Sequence, residues 1–308
     1  MPNWRDILAE VKAVGSTHDL IRRKYLKELH TKTGRNVIVY YSGWLQKADL
    51  QRKGGIDMGL NDSDKNGFMA AIHGLDRSKG LDLILHTPGG GIAATESLVD
   101  YLRSMFGTNI RAIVPQIAMS AGTMIALSCK EIIMGKHSSL GPIDPQIGGL
   151  AAHAIIEEFE KAKDDISKNS ALANLWHPIL QKYSPTLIGE CEKASSWSSE
   201  IVKEWLTSNM FNGEQEAATK ASKIIAELGS HGVTKSHDRH YSLKRIKELG
   251  INVKELEELD REKNLQDAVL SIHHVCIQTL AETQAFKIIE NHDGIAFIQG
   301  ASPVIIQG

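Results

Sequence analysis

The chain has 308 residues, 42% of them hydrophobic, with 35 basic against 37 acidic side chains and a formal charge of −2. That apolar fraction supports a folded core and excludes a largely disordered chain, while the near-neutral balance argues against a dedicated nucleic-acid binder, which needs a strongly basic face. Three cysteines (Cys129, Cys191 and Cys276), odd in number and far apart, form neither a disulfide framework nor a CxxC zinc pattern, and point to a reducing compartment.

The first residues, MPNWRDILAEVKAVG, carry Arg5, Asp6, Glu10 and Lys12 among apolar residues, which breaks any signal-peptide core. Trp4, Ile7, Leu8 and Val11 recur at i, i+3, i+4, i+7 and predict an amphipathic helix over about 3–14. A second helix, about 17–31, has Leu20, Ile21, Tyr25, Leu26 and Leu29 as its apolar face, and the two make a helical arm over 1–35. NVIVYYSG (36–43) is β-branched and aromatic and reads as a buried strand. Residues 44–60 read as irregular, followed by a helix from about Asp62 to His73. The run Asp62-Ser63-Asp64-Lys65-Asn66-Gly67 matches the first half of a calcium-binding loop, but His73 stands where a bidentate glutamate belongs. An aspartate-capped helix start is the better reading.

The middle of the chain alternates. LDLILH (81–86) is a strand, PGGG (88–91) a turn and 92–106 a helix; IRAIVP (110–115) is a strand, 120–130 a helix and EIIMG (131–135) a strand. Strand–helix–strand alternation with short connections implies βαβ units in a mainly parallel sheet, so the fold class is α/β with a core over 36–165. The most apolar stretch, Ala112 to Cys129, is interrupted by Pro115, Gln116, Ser120, Gly122, Thr123 and Ser128 and is too polar to cross a bilayer. The expectation is a soluble, cytoplasmic protein without membrane insertion. From about 152 the pattern turns helical, near 153–169, 171–182, 185–194, 198–208, 214–228 and 242–249. A long helix over about 263–290 and a strand, GIAFIQG (294–300), complete an extension over 166–308. The strand either returns to the sheet or pairs with another subunit, and the apolar face of the long helix serves either as core or as an interface.

Two motifs carry chemistry. In HTPGGG (86–91) a glycine-rich turn at the end of a strand exposes backbone N–H groups. In AMSAGTMIALS (118–128) Ser120 follows the next strand and opens a helix, beside unpaired N–H donors and the positive end of the helix dipole. Separately these are a turn and an N-cap. Together, at the C-terminal ends of consecutive parallel strands, they converge where ligands gather in open α/β sheets. The pairing suits acyl transfer: Ser120 attacks a carbonyl while the N–H groups of Gly90 and Ala121, flanked by Gly89 and Gly91, hold the oxyanion.

A third segment, LGSHGVTKSHDRHYS (228–242), gathers His231, His237 and His240 near Lys235 and Arg239. It lacks the cysteine or acidic partners of a zinc site and reads as a polar loop contacting substrate or another subunit; no metal or cofactor is expected. Local basic residues (Lys235, Arg239, Lys244, Arg245, Lys247) are diluted by Asp238 and Glu248. His86 reads as a hydrogen-bonded strand histidine, with a place lining the cleft as the alternative, and His273-His274 as partly buried or interfacial, while Trp176, Trp197 and Trp205 read as anchors of helical packing.

HTPGGG (86–91), SAGTMIAL (120–127) and SSLGPIDPQIGG (138–149) resemble the ClpP/crotonase-fold serine peptidases, which include signal peptide peptidase A and the Clp proteolytic subunit. Within them the chain is most similar to the serine dehydrogenase proteinases. The resemblance implies a parallel-sheet core, a homo-oligomer, and hydrolysis of peptides or unfolded proteins by an activated serine, Ser120. The Clp subunit takes its histidine from the segment where this chain has Asp144, Pro145 and Gln146. Signal peptide peptidase A and its archaeal relatives use a later lysine, which corresponds to Lys161, with Lys163 as the competitor. A lysine acts as base only when burial or cationic neighbours bring its pKa down from about 10.4 toward neutrality. The resemblance thus implies a Ser120–Lys161 dyad; a crotonase-like thioester enzyme and a non-catalytic scaffold are the alternatives.

Overall fold

A computed structural model describes residues 3–14, 18–229, 236–259 and 264–301. Seven strands make the central sheet: β1 (Asn36–Ser42), β2 (Leu81–His86), β3 (Ile110–Val114), β5 (Glu131–Met134), β10 (Val253–Glu255), β11 (Ala285–Asn291) and β12 (Ala296–Gly300). Their order is β10-β5-β3-β2-β1-β11-β12. From β10 to β1 all neighbours are parallel; β11 runs antiparallel to β1, and β12 to β11. The short strand β4 (Ile117–Ala118) lies between β3 and β5 in the chain.

Both sheet faces are covered, which is why β1 and β2 are buried at every position rather than alternating with polar residues. Ile38, Tyr40, Leu81, Leu83 and Leu85 face one apolar cluster. That cluster includes residues of α4 (Asp64–Ile72), α5 (Ile92–Phe106), α6 (Ala121–Ser128), α9 (Leu187–Trp205) and α10 (Ala217–Gly229). Val37, Val39, Tyr41 and Ile84 face a second cluster built from α1 (Trp4–Val14), α2 (His18–Thr33) and the last helix, α12 (Leu265–Glu282). At the opposite end of the sheet from the glycine turn, buried Asp82 accepts from Arg35 Nε at 2.6 Å and from Arg111 Nε at 2.7 Å.

Three elements differ from the sequence reading. The long helix ends at Glu282 rather than near 290, because Thr283 turns extended and AFKIIEN (285–291) forms β11. Its Ile288-Ile289 pair suits a strand between two neighbours. The predicted helices over 185–194 and 198–208 are one helix, α9, which runs into a single π turn at Leu206–Met210. Residues 48–54, read as irregular, form α3 (Ala48–Gly54). Of the open alternatives, the final strand returns to its own sheet, and the apolar residues of α12 pack in this chain's own core. Among the described residues no helix is long and apolar enough to cross a membrane.

Candidate active site

The Ser120 turn is assembled by the ends of β2 and β3. Beyond β2, Thr87 N donates to Ile117 O at 3.2 Å and Met119 N donates to Thr87 O at 3.0 Å, so the glycine turn and the serine turn run side by side. Ser120 then takes φ 48° and ψ −115°, one of two positive-φ non-glycine residues among those described. Such a conformation costs on the order of 1–3 kcal/mol and persists only where the surroundings enforce it. Here α6, buried at all eight positions, supplies the enforcement. Ser120 stands at the N-cap position of α6, yet its side chain makes no capping hydrogen bond. The hydroxyl is therefore not consumed by the role that serines most often play there.

Glycine is required on the facing turn. Gly89 has φ 111°, and a Cβ on it would fall 2.5 Å from the Cβ of Ser120. A Cβ on Gly90 would fall 2.2 Å from the carbonyl oxygen of Leu60, and one on Gly122 would fall 2.5 Å from Cγ2 of Thr87. The Gly89 N–H is spent on Thr87 Oγ1 at 3.1 Å and that of Gly91 on Leu60 O at 3.0 Å. Among the described residues the Gly90 and Ala121 amides have no backbone acceptor outside the regular elements. They flank Ser120 on the turn and on the first residue of α6.

A cavity of about 430 Å³ opens over Ser120. Pro88, Gly90, Gly91, Pro145 and Gln146 line it together with the apolar side chains of Ile92, Met124, Ile143 and Trp197. His237 lines it too. The imidazole Nδ1–H of His237 donates to Asp144 Oδ1 at 3.0 Å; Asp144 is fully buried and His237 is 19% exposed. This pairing fixes the tautomer, so that Nε2 is the nitrogen left to exchange a proton. The histidine loop is moored after the pair: β9 (Tyr241–Ser242) runs antiparallel to β6 (Ser139–Leu140), and His240 Nδ1 lies 2.8 Å from Ser139 Oγ. The segment bearing Asp144 is held by Ile143 N donating to Leu228 O, by Ser198 Oγ donating to Ile143 O, and by Ala152 N donating to Pro145 O.

Ser120, Gly89, Gly90, Gly91 and Ala121 thus come together at one end of the sheet. Lys161 does not join them. It sits on α7 (Ala152–Lys168), whose buried residues are Ala152, Ile155 and Ala162; Lys161 itself is exposed and absent from the cavity wall. Lys163 is exposed as well and pairs with Glu160. The Asp144–His237 pair was not anticipated as a unit. Both residues stood in segments singled out in the sequence, but a contact across 93 positions has no local signature. His231 and Lys235 lie outside the described residues. Among the described residues there is no group of three or more potential metal ligands.

His86, at the end of β2, points to the other face of the sheet. Both ring nitrogens are buried without a partner among the described residues, and the ring packs on Trp44 (centroids 4.5 Å apart), Tyr41 (5.3 Å) and His273 (5.4 Å). Burial drives its pKa down to about 3, and burial likewise holds His273 well below the usual histidine range. Neither is protonated at neutral pH.

Comparison with known proteins gives two findings. The family model described as ClpP-like SDH-type serine proteinase matches residues 12–258. Two uncharacterised proteins of Methanocaldococcus jannaschii are similar: one is 31% identical over 190 residues, covering 62% of this chain and 57% of the relative; the other is 30% identical over 236 residues, covering 76% and 73%. The chain therefore spans little more than half the length of the first.

Proposed function

The chain belongs to the ClpP-like SDH-type serine proteinases, and from that premise we propose that it hydrolyses peptide bonds of peptides or unfolded proteins through an acyl-enzyme on Ser120, with His237 as general base and Asp144 orienting it. The observation that carries this reading is His237, paired with the buried Asp144, in the wall of the cavity that contains Ser120.

His237 Nε2 takes the proton from Ser120 Oγ as Oγ attacks the scissile carbonyl carbon. The carbonyl oxygen becomes an oxyanion and accepts from the Gly90 and Ala121 amides; one such donor contributes about 3 kcal/mol to the transition state. The imidazolium, stabilised by the buried carboxylate, returns the proton to the leaving amine. Water, deprotonated by the same nitrogen, then releases the acyl group and regenerates the hydroxyl. The Ile92–Met124–Ile143–Trp197 wall favours an apolar side chain next to the cleaved bond.

Purified wild type, Ser120→Ala, His237→Ala and Lys161→Ala proteins are incubated with an unfolded-protein digest, and with a fluorophosphonate that labels activated serines. Loss of new termini and of labelling in Ser120→Ala and His237→Ala, with Lys161→Ala near wild type, supports the triad. The reverse pattern for the last two restores the Ser120–Lys161 dyad. A wild type that neither cleaves nor labels refutes the peptidase reading and directs attention to thioesters or to a scaffold role.

A further inference from the structure

The Asp62–Gly67 run that resembles a calcium loop ends up in a different role. Asp64, the first residue of α4, turns its carboxylate inward to Lys287 of β11, and each of the two side chains is only 1% exposed. Lys287 Nζ donates to Asp64 Oδ2 at 2.9 Å, to Oδ1 at 3.1 Å and to the carbonyl oxygen of Gly59 at 2.6 Å. Asp64 Oδ2 also accepts from Tyr40 Oη at 2.9 Å and from the Asn61 amide at 3.0 Å. The ammonium thus has the Asp64 carboxylate, through both oxygens, and the Gly59 carbonyl as acceptors.

Gly59 and Asn61 are held from below, and the residue between them is Leu60. Its amide donates to Gly89 O at 2.7 Å, and its carbonyl accepts from Gly91 N at 3.0 Å. Leu60 therefore grips the glycine turn on both sides of Gly90. The fit leaves no slack, since even a methyl group on Gly90 would run into the Leu60 backbone.

We propose that the Asp64–Lys287 pair is a positioning device for the oxyanion hole: through the Gly59–Asn61 backbone it fixes the direction of the Gly90 N–H. This rests on the reading of Ser120 as nucleophile. A buried ion pair is a weak source of stability, because desolvation of both charges offsets most of their attraction. Its effect on geometry is a separate matter. Oxyanion donors act through being aimed before the reaction, and a misplacement of about 1 Å costs on the order of 100-fold in rate.

The test uses Lys287→Met, Asp64→Asn and the double variant Asp64→Leu/Lys287→Met, which strands no buried charge. The rate of Ser120 labelling by a fluorophosphonate is followed against pH, with thermal unfolding in parallel. The expected result is labelling slowed about 10- to 100-fold at every pH, with the pH midpoint unchanged because the base is untouched. The double variant keeps this defect even where its melting temperature approaches wild type. A folded double variant that labels at the wild-type rate overturns the proposal, as does a shifted pH midpoint. If the double variant does not fold, near-isosteric Asp64→Asn decides on the same criteria. A wild type that does not label at Ser120 removes the peptidase reading and this inference with it, whereas a labelled wild type with unimpaired variants removes the inference alone.

Discussion

His86 offers a measurement that needs no substrate. Replacing it by phenylalanine keeps an aromatic ring among Trp44, Tyr41 and His273 and removes two buried nitrogens that have no partner among the described residues. In the folded chain the His86 pKa is about 3, against about 6.5 in the unfolded chain. The unfolded state thus binds the proton first. The contribution of this group to stability is intact above pH 6.5 and is lost as pH falls from there toward 3. Each pKa unit corresponds to about 1.4 kcal/mol, so acidification from pH 7 to pH 5 costs the wild type about 2 kcal/mol through His86 alone. His273 titrates in the same sense and is present in both proteins, so to first order its contribution cancels in the comparison. Urea unfolding of wild type and His86→Phe at pH 7 and pH 5 measures the difference. The variant is expected to match or exceed wild type at pH 7 and to gain about 2 kcal/mol relative to it at pH 5. Equal pH dependence in the two proteins refutes the reasoning, because it means that the ring accepts a proton in place.

Gly90→Ala is expected to lower the Ser120 labelling rate by about 100-fold or more while the chain stays folded, since its Cβ displaces the Leu60–Gly90 contact; near wild-type labelling rules out the assigned oxyanion donor. Asp144→Asn should slow labelling by orders of magnitude without unfolding the protein, because the amide supports the wrong histidine tautomer, and retained activity sinks the triad. Asp82→Ala leaves the Arg35 and Arg111 guanidiniums facing each other without the buried carboxylate and should cost about 3–5 kcal/mol; a loss below 1 kcal/mol in a denaturant series contradicts it. All three cysteines are buried, and burial raises the Cys129 thiol to about 12, so none should react with a thiol reagent at pH 8 until the chain unfolds; rapid titration of one thiol in native protein overturns this.

Much of the core was legible in the sequence because its signals are local. The β-branched run 36–43, the alternation from 81 to 135 and the glycine turn each announce a strand, a helix or a bend within a few residues, and these place Ser120 beside Gly90. The strand β11 was hidden because KIIE reads equally well as the tail of a helix; only its position between β1 and β12 decides the matter. The proposed general base is a different kind of difficulty. Lys161 follows from a resemblance in spacing, but on α7 one position separates a buried residue (Ala162) from an exposed one, and spacing alone does not fix that phase. Asp144 and His237 come together through tertiary mooring of two loops, which no window along the chain contains. Asp64 shows the same limit: its motif suggested calcium or a cap, whereas its actual partner stands 223 positions away.

The place of β11 in the sheet has a consequence in time. Strands β1 to β5 and the Ser120 turn all precede β11 in the chain, and β1 has only one neighbour until residues 285–291 arrive to pair with it. Until then Asp64 and the Gly59 carbonyl lack Lys287. A chain arrested before Ala285 carries every residue assigned to the chemistry and yet should resist fluorophosphonate. On the proposed reading, labelling of Ser120 therefore depends on a strand more than 160 positions further along the chain than the serine itself.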